Sequence, residues 1–383
     1  MERKAIHDQI GQVRLHGPGP SDVPDSVLEA LSSKTIGHLD PDFLRVMDQT
    51  QEMLREVLRT KNRMTIPISG TGSSGMETLV ANLVEPGDRV AVVRNGVFGG
   101  RIADEVSRFG GQVVEINVEW GRTVEPEQVK EALSSGDCRA LFLVHAETST
   151  GALQPQMKEI GQLAHEHDAL FLVDAVTSLG GTEVKVDEWG IDAAYSGTQK
   201  CLSVPPGLSP ITLNERAMDK LRNRRTPVQS WYFDLTMIEE YWNEGGARKY
   251  HHTAPVNMIF ALHEGLRLIL EEGLDAVFER HRKNAAALQA GLESLGFTYI
   301  VEKAEERLPM LHAVFLPEGA DEGKLRKQLR AECSLEIGGG LGDFAGKAWR
   351  IGLMGHSCRE EKVEALLRDI RSVIEREHGG PSA

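Results

Sequence analysis

Between about Ser69 and Leu213 the chain alternates short apolar, β-branched runs with amphipathic stretches, and few architectures satisfy that rhythm. Each run is long enough for one strand, and each intervening stretch carries apolar residues at helical spacing, so βαβ units and a mainly parallel sheet are expected. The clearest strands are predicted over residues 89–95, 112–118, 140–148, 169–176 and 193–197, with MKEIGQLAHEHD as one of the helices between them. A sheet of this kind binds ligands at the carboxyl ends of its strands. The weight therefore falls on Asn95 to Phe98, Glu147 to Gly151, Asp174 to Ser178 and Thr198 to Lys200.

Beyond this region, residues 260–296 read as helical with a break near Gly273, and the rest as an α+β mixture. A length of 383 residues is long for one core. The expected layout is an arm over 1–15, a large domain over 16–272 and a small C-terminal domain over 273–383.

Composition narrows the function by exclusion. A formal charge of −14 supplies no basic footprint for a phosphate backbone, so no nucleic-acid partner is expected. No run approaches the ~20 apolar residues that span a bilayer, and MERKAIHDQIGQ has no apolar signal core. A cytoplasmic protein with small-molecule partners is the expectation. The cysteines, Cys138, Cys201, Cys333 and Cys358, lack metal-site or redox spacing and read as reduced thiols. His251 and His252 are adjacent, should point apart on an extended chain, and have no third ligand at a fitting spacing, so no metal is expected.

Three segments carry chemistry. ISGTGSSGMETLVANL, residues 68–83, is a Gly-rich turn entering an amphipathic helix. Its amides would bind a phosphate, although a plain helix start reads equally well. In FLVDAVTSLGG a single carboxylate, Asp174, ends an apolar strand. It is either a cap or salt-bridge partner, or the acid that holds a protonated pyridine nitrogen. YSGTQKCLSVPPG then sets Lys200 among small residues at the end of another strand, where an ordinary exposed loop lysine is the alternative.

Together VDAVTSLGG, YSGTQK, HAETSTG and YHHTAP resemble the class V aminotransferases of PLP fold type I, nearest the alanine-glyoxylate and serine-pyruvate aminotransferases. The similarity runs from HGPGPSDVP at residues 16–24, through IGHLDPDF and EPGDRVAVVRNGVFGGR, to WRIGLMG at 349–355. It implies an α/β fold with a large domain, whose mainly parallel central sheet is flanked by helices, and a smaller α+β domain. It also implies pyridoxal 5'-phosphate held as a Schiff base on Lys200, which would then shuttle a proton, with Asp174 on the ring nitrogen. Thr71, Gly72, Ser73 and Gln199 would cup the phosphate, Thr148 approach the phenolic oxygen and Phe98 stack on the ring, where many relatives carry Trp or Tyr. Tyr250 and Thr253 would cross to a second subunit of a homodimer with shared sites. Arg350, helped by Ser178, would hold the substrate carboxylate.

The implied reaction moves an amino group from alanine or serine to glyoxylate or pyruvate by ping-pong kinetics. Nothing obvious in the sequence supplies a second Arg for a dicarboxylic substrate. Ureidoglycine-glyoxylate and phosphonate aminotransferases share these motifs. A cysteine desulfurase would need a mobile nucleophile such as Cys358, and an NAD-dependent dehydrogenase would leave Lys200 and Asp174 unexplained.

Overall fold

A computed structural model describes residues 10–377. Seven strands form the central sheet: β1 (Met64–Ser69), β2 (Arg89–Arg94), β3 (Gln112–Asn117), β4 (Cys138–Val144), β5 (Leu170–Asp174), β6 (Ala193–Tyr195) and β7 (Leu208–Leu213). Their spatial order is β1-β7-β6-β5-β4-β2-β3. Strands β3, β2, β4, β5 and β6 pair in parallel, whereas β7 runs antiparallel to both β6 and β1. The sheet is therefore mainly parallel with one reversed member. Burial on both faces explains why β4 from Ala140 to Val144 and β5 from Leu170 to Val173 read as unbroken apolar runs.

The five predicted strands all form, four of them within two residues of their expected ends. The segment expected as one strand over 140–148 instead leaves the sheet after Val144. Ala146–Glu147 folds back on Ala152–Leu153 as a small antiparallel pair. His145 keeps the departing chain anchored, its amide donating to the Asp174 carbonyl at 3.0 Å.

A second sheet joins β8 (Thr298–Tyr299), β9 (Leu311–Phe315), β10 (Gly338–Gly339) and β11 (Ala348–Gly352) in the order β8-β9-β11-β10. Its core, with Phe297, Trp349 and Ile351, is separate from the large one. The long helices Val256–Glu272 and Leu274–Ser294 meet at Gly273, whose φ of +86° suits glycine and accounts for the predicted break. The second of them bridges the cores: Val277 and Phe278 belong to the large one, Leu288 and Leu292 to the small one.

Residues 1–9 of the expected arm lie outside the described residues. Arg14–Leu15 pairs in parallel with Leu335–Glu336, so the chain begins its described path against the second core. Among the described residues no helix is long and apolar enough to cross a membrane.

Candidate active site

The last residues of three neighbouring strands, Val144, Asp174 and Tyr195, line one cavity of about 210 Å³. Thr71, Gly72, Ser73, Phe98, Thr148, Gln199 and Lys200 complete much of its wall. Residues distant along the chain thus converge where the parallel strands end. A roomier cleft of about 660 Å³ lies elsewhere, but its charges satisfy one another, as in Lys220–Asp88 at 2.9 Å.

Asp174 is buried and has no cationic partner within ion-pair distance among the described residues. One of its oxygens accepts from the Val176 amide at 2.8 Å, and the other accepts from the Tyr195 hydroxyl. Burial pushes its pKa up to about 7 despite these two hydrogen bonds. Such a carboxyl is poised to pair with a cation brought into the cavity. Tyr195 was not singled out from the sequence. The signal was one of register, since Asp174 and Tyr195 are direct neighbours on parallel strands.

Lys200 sits in the loop after β6. Its ammonium donates to the Pro18 carbonyl, and burial, reinforced by the positive charge of Arg350, brings its pKa down to about 8. A lysine with its proton this loosely held is a usable nucleophile and proton carrier near neutral pH. The Pro18 contact was also missed, because nothing in the spacing of residues 16–24 indicates that they fold onto Lys200.

At the other end of the cavity the helix Gly72–Leu83 begins without a side-chain cap from Thr71. Uncapped first-turn amides form an anion site. A Cβ on Gly72 would come within 3.3 Å of Val176, so that helix start lies hard against the strand-end turn. Gln199 Oε1 is buried without a hydrogen-bond partner.

Phe98 is aimed by a cap of its own. Glu147, fully buried, accepts from the Phe98 amide at 3.1 Å and the Gly99 amide at 3.4 Å, at the start of the helix Val97–Arg108. Arg101 crosses the Phe98 ring with its guanidinium carbon 4.9 Å from the centroid, and it also lines the cavity. The expectation that no second arginine is on hand is corrected here. Arg101 lies one helical turn beyond Phe98, a proximity that only the helix creates.

Four predicted site residues do not line the cavity. Ser178 is buried with its hydroxyl unpartnered. Arg350, on β11, donates from Nε to the Gly339 carbonyl at 2.8 Å and meets no carboxylate within ion-pair distance among the described residues. Tyr250 and Thr253 are exposed, 3.4 Å apart at their hydroxyls, and Tyr250 packs on His38. His251 and His252 do not point apart: a bend at His252 brings their Nδ1 atoms to 2.8 Å. Cys358 is buried in the second core, and burial raises its thiol pKa.

These residues fit pyridoxal phosphate. An unpaired buried carboxyl, a lysine of lowered pKa, an uncapped helix start and an aromatic ring share one small cavity. Comparison with known proteins agrees. The model of the family "Aminotransferase class-V" matches residues 14–341. The chain is 42% identical to (S)-ureidoglycine–glyoxylate transaminase of Bacillus subtilis, covering 96% of this chain and 91% of that one. It is 38% identical to alanine–glyoxylate aminotransferase of Drosophila melanogaster, covering 94% and 92%. The crystal structure of alanine–glyoxylate aminotransferase from Nostoc sp. superposes with a TM-score of 0.93 at 46% identity, covering 95% of this chain and 96% of that one. The chain belongs to the class V aminotransferases and is a pyridoxal phosphate-dependent transaminase of PLP fold type I.

Proposed function

We propose that the enzyme transfers the amino group of a small amino acid, alanine or serine, to glyoxylate or pyruvate in two half-reactions. The size of the cavity carries this reading. At about 210 Å³ it falls below the ~300–1,000 Å³ usual for drug-sized ligands. A flat cofactor would take up much of that space, which favours a short side chain on the substrate. The names of the Nostoc and Drosophila relatives support the same substrates.

In this reading Lys200 holds the cofactor and, once released, moves a proton to and from the substrate α-carbon. Asp174 keeps the ring nitrogen protonated, with Tyr195 holding the carboxyl in place. Thr71, Gly72, Ser73 and Gln199 bind the phosphate, Thr148 the phenolic oxygen, and Phe98 covers one ring face. The bound cofactor supplies an electron sink for the bond broken at the α-carbon. Arg350, helped by Ser178, takes the α-carboxylate through a forked pair of hydrogen bonds. Replacing Arg350 by alanine removes charge-assisted bonds together worth about 2–3 kcal/mol, so KM for alanine should rise about 100-fold with kcat changed far less. Steady-state kinetics with both substrates varied checks this.

The division into a large unit over 16–272 and a small one over 273–383 sets Lys200 and Arg350 on opposite sides, so substrate binding would draw them together. A homodimer with shared sites is supported by an aromatic surface around the crossing loop. Trp231 is 62% and Tyr250 60% exposed, with Tyr232 beside them, and such residues are enriched in interfaces. In a dimer Tyr250 and Thr253 would reach the other copy's phosphate. Tyr250→Phe should weaken cofactor retention about tenfold through the loss of one hydrogen bond to a charged group. Equilibrium dialysis of the cofactor, beside sedimentation of the native protein, tests both points.

Ureidoglycine as donor is the second reading, favoured by the 42% identical Bacillus relative. The guanidinium of Arg101 at the cavity offers donors for a ureido carbonyl. A screen of alanine, serine and ureidoglycine against glyoxylate and pyruvate discriminates. Turnover of alanine with glyoxylate at the highest kcat/KM is expected, and a ureidoglycine rate above it overturns the first reading. The burial of Cys358 disfavours a desulfurase.

A further inference from the structure

Residues 16–21 run between the second sheet and the loop that carries Lys200, and are bonded to both. On one side His16 is fully buried and held by three hydrogen bonds. Its amide donates to Glu336 O at 2.9 Å, its carbonyl accepts from the Gly352 amide at 2.8 Å, and its Nδ1 lies 3.0 Å from Gly352 O. Gly352 ends β11, two residues after Arg350. The approach is close enough that a Cβ on Gly352 would stand 2.0 Å from Gly17 O. On the other side the Pro18 carbonyl accepts from Lys200 Nζ, and the Ser21 amide and hydroxyl donate to Gln199 O at 2.9 Å and Lys200 O at 2.8 Å. Gly19, at φ +105°, passes so near the amine that a Cβ there would come within 2.5 Å of Nζ.

We propose that residues 16–21 are a strap that sets the spacing between the Lys200 amine and the Arg350 guanidinium, with His16 as the positioning residue for recognition of the substrate carboxylate. This rests on the reading of Arg350 as the carboxylate anchor. Lys200 sits on the loop after β6 and Arg350 on β11 of the second sheet, so the two need a common reference. Another link, from the His356 amide to Ser203 Oγ at 2.8 Å, joins the turn beyond β11 to the same loop. That link and the two separate cores should keep the fold when the strap is loosened.

Arg350 acts only on the carboxylate, whereas Lys200 and the cofactor act on the amine. A displaced strap therefore penalises ligands whose carboxylate needs the Arg350 guanidinium in place and spares those held at the amine end alone. The test uses the holoenzyme, with propionate binding measured by calorimetry and with the spectral response to ethylamine, an amine lacking a carboxylate. His16→Ala should weaken propionate binding and raise KM for alanine by about tenfold, since displacement of a binding group by a fraction of an ångström has costs of that order. The ethylamine response should be unchanged. His16→Asn, whose amide can donate to the same Gly352 carbonyl, should restore most of the loss. Ser21→Ala, loosening the other end, should repeat the pattern. Equal losses for propionate and ethylamine, or an unaffected His16→Ala beside an Arg350→Ala that has lost propionate, overturn the strap. An Arg350→Ala that still binds propionate as the wild type does overturns the anchor reading itself, and the strap falls with it.

Discussion

Lys200→Ala should lower transamination by at least about 10⁴-fold, the upper end of what a positioned proton-transfer group contributes, because the covalent hold is lost in the same step. The fold should survive, since the Lys200 side chain contributes one hydrogen bond, to the Pro18 carbonyl, and no core packing, and its backbone bonds persist in alanine. Two measurements check it. Single-turnover kinetics should give the rate loss, and borohydride treatment of the holoprotein followed by mass spectrometry should fix cofactor in the wild type but not in the variant. Retained turnover would end the assignment of this lysine. The wild type adds a pH signature: with the pKa of Lys200 brought down to about 8 in the apoprotein, reaction of the apoenzyme with the cofactor aldehyde should accelerate as pH rises toward 8 and then level off.

Asp174→Asn should have the second-largest effect, a loss of about 10²–10³-fold in kcat, comparable to removing one preorganised electrostatic group. Its consequences for stability run the other way. In the unfolded chain this carboxyl ionises near 3.8, and in the folded apoprotein near 7. Between those values the folded state holds a proton that the unfolded state has released, so apoprotein stability falls as pH rises through the window and is lowest above it. The difference amounts to at most about 4 kcal/mol. Asparagine fills the same space without the charge, so the apo variant should unfold at higher temperature than the wild type at pH 8 and at nearly the same temperature at pH 4. Cofactor binding should reverse the ranking at pH 8, because the ring cation satisfies the aspartate and gives asparagine nothing. Calorimetric unfolding of both proteins, with and without cofactor, checks all four cases.

The legible part of the molecule was what a strand or a helix reveals about itself. β2 to β6 announced themselves by short, largely apolar and β-branched runs, and Asp174 and Lys200 stood out as charged groups just after such runs. β1 and β7 were harder to read because each contains a proline, Pro67 and Pro210, a residue that usually argues against a sheet interior. They face one another in register, so the missing donors coincide. The return of the chain after Val144 was hidden for another reason: HAET continues the apolar alternation although it has already left the sheet. The residues missed at the site are contacts between elements. Tyr195 depends on strand register, Arg101 on a helical turn, and Pro18 on a segment crossing from one core to the other. None of these relations exists until the elements are assembled.

The reversal of β7 has a consequence for the lysine. Parallel strands need a long crossover to return the chain to the same end, whereas an antiparallel pair can be joined directly. Because β7 runs against β6, the chain carrying Lys200 passes from Tyr195 to Leu208 without any intervening helix, and the Ser196 amide already donates to Pro210 O at 2.7 Å. The reactive amine thus rides on a short leash clamped at both ends, in a protein whose other strand junctions mostly have slack. Lengthening that leash by even a residue or two would be tolerated far less than the same insertion on the outer connections.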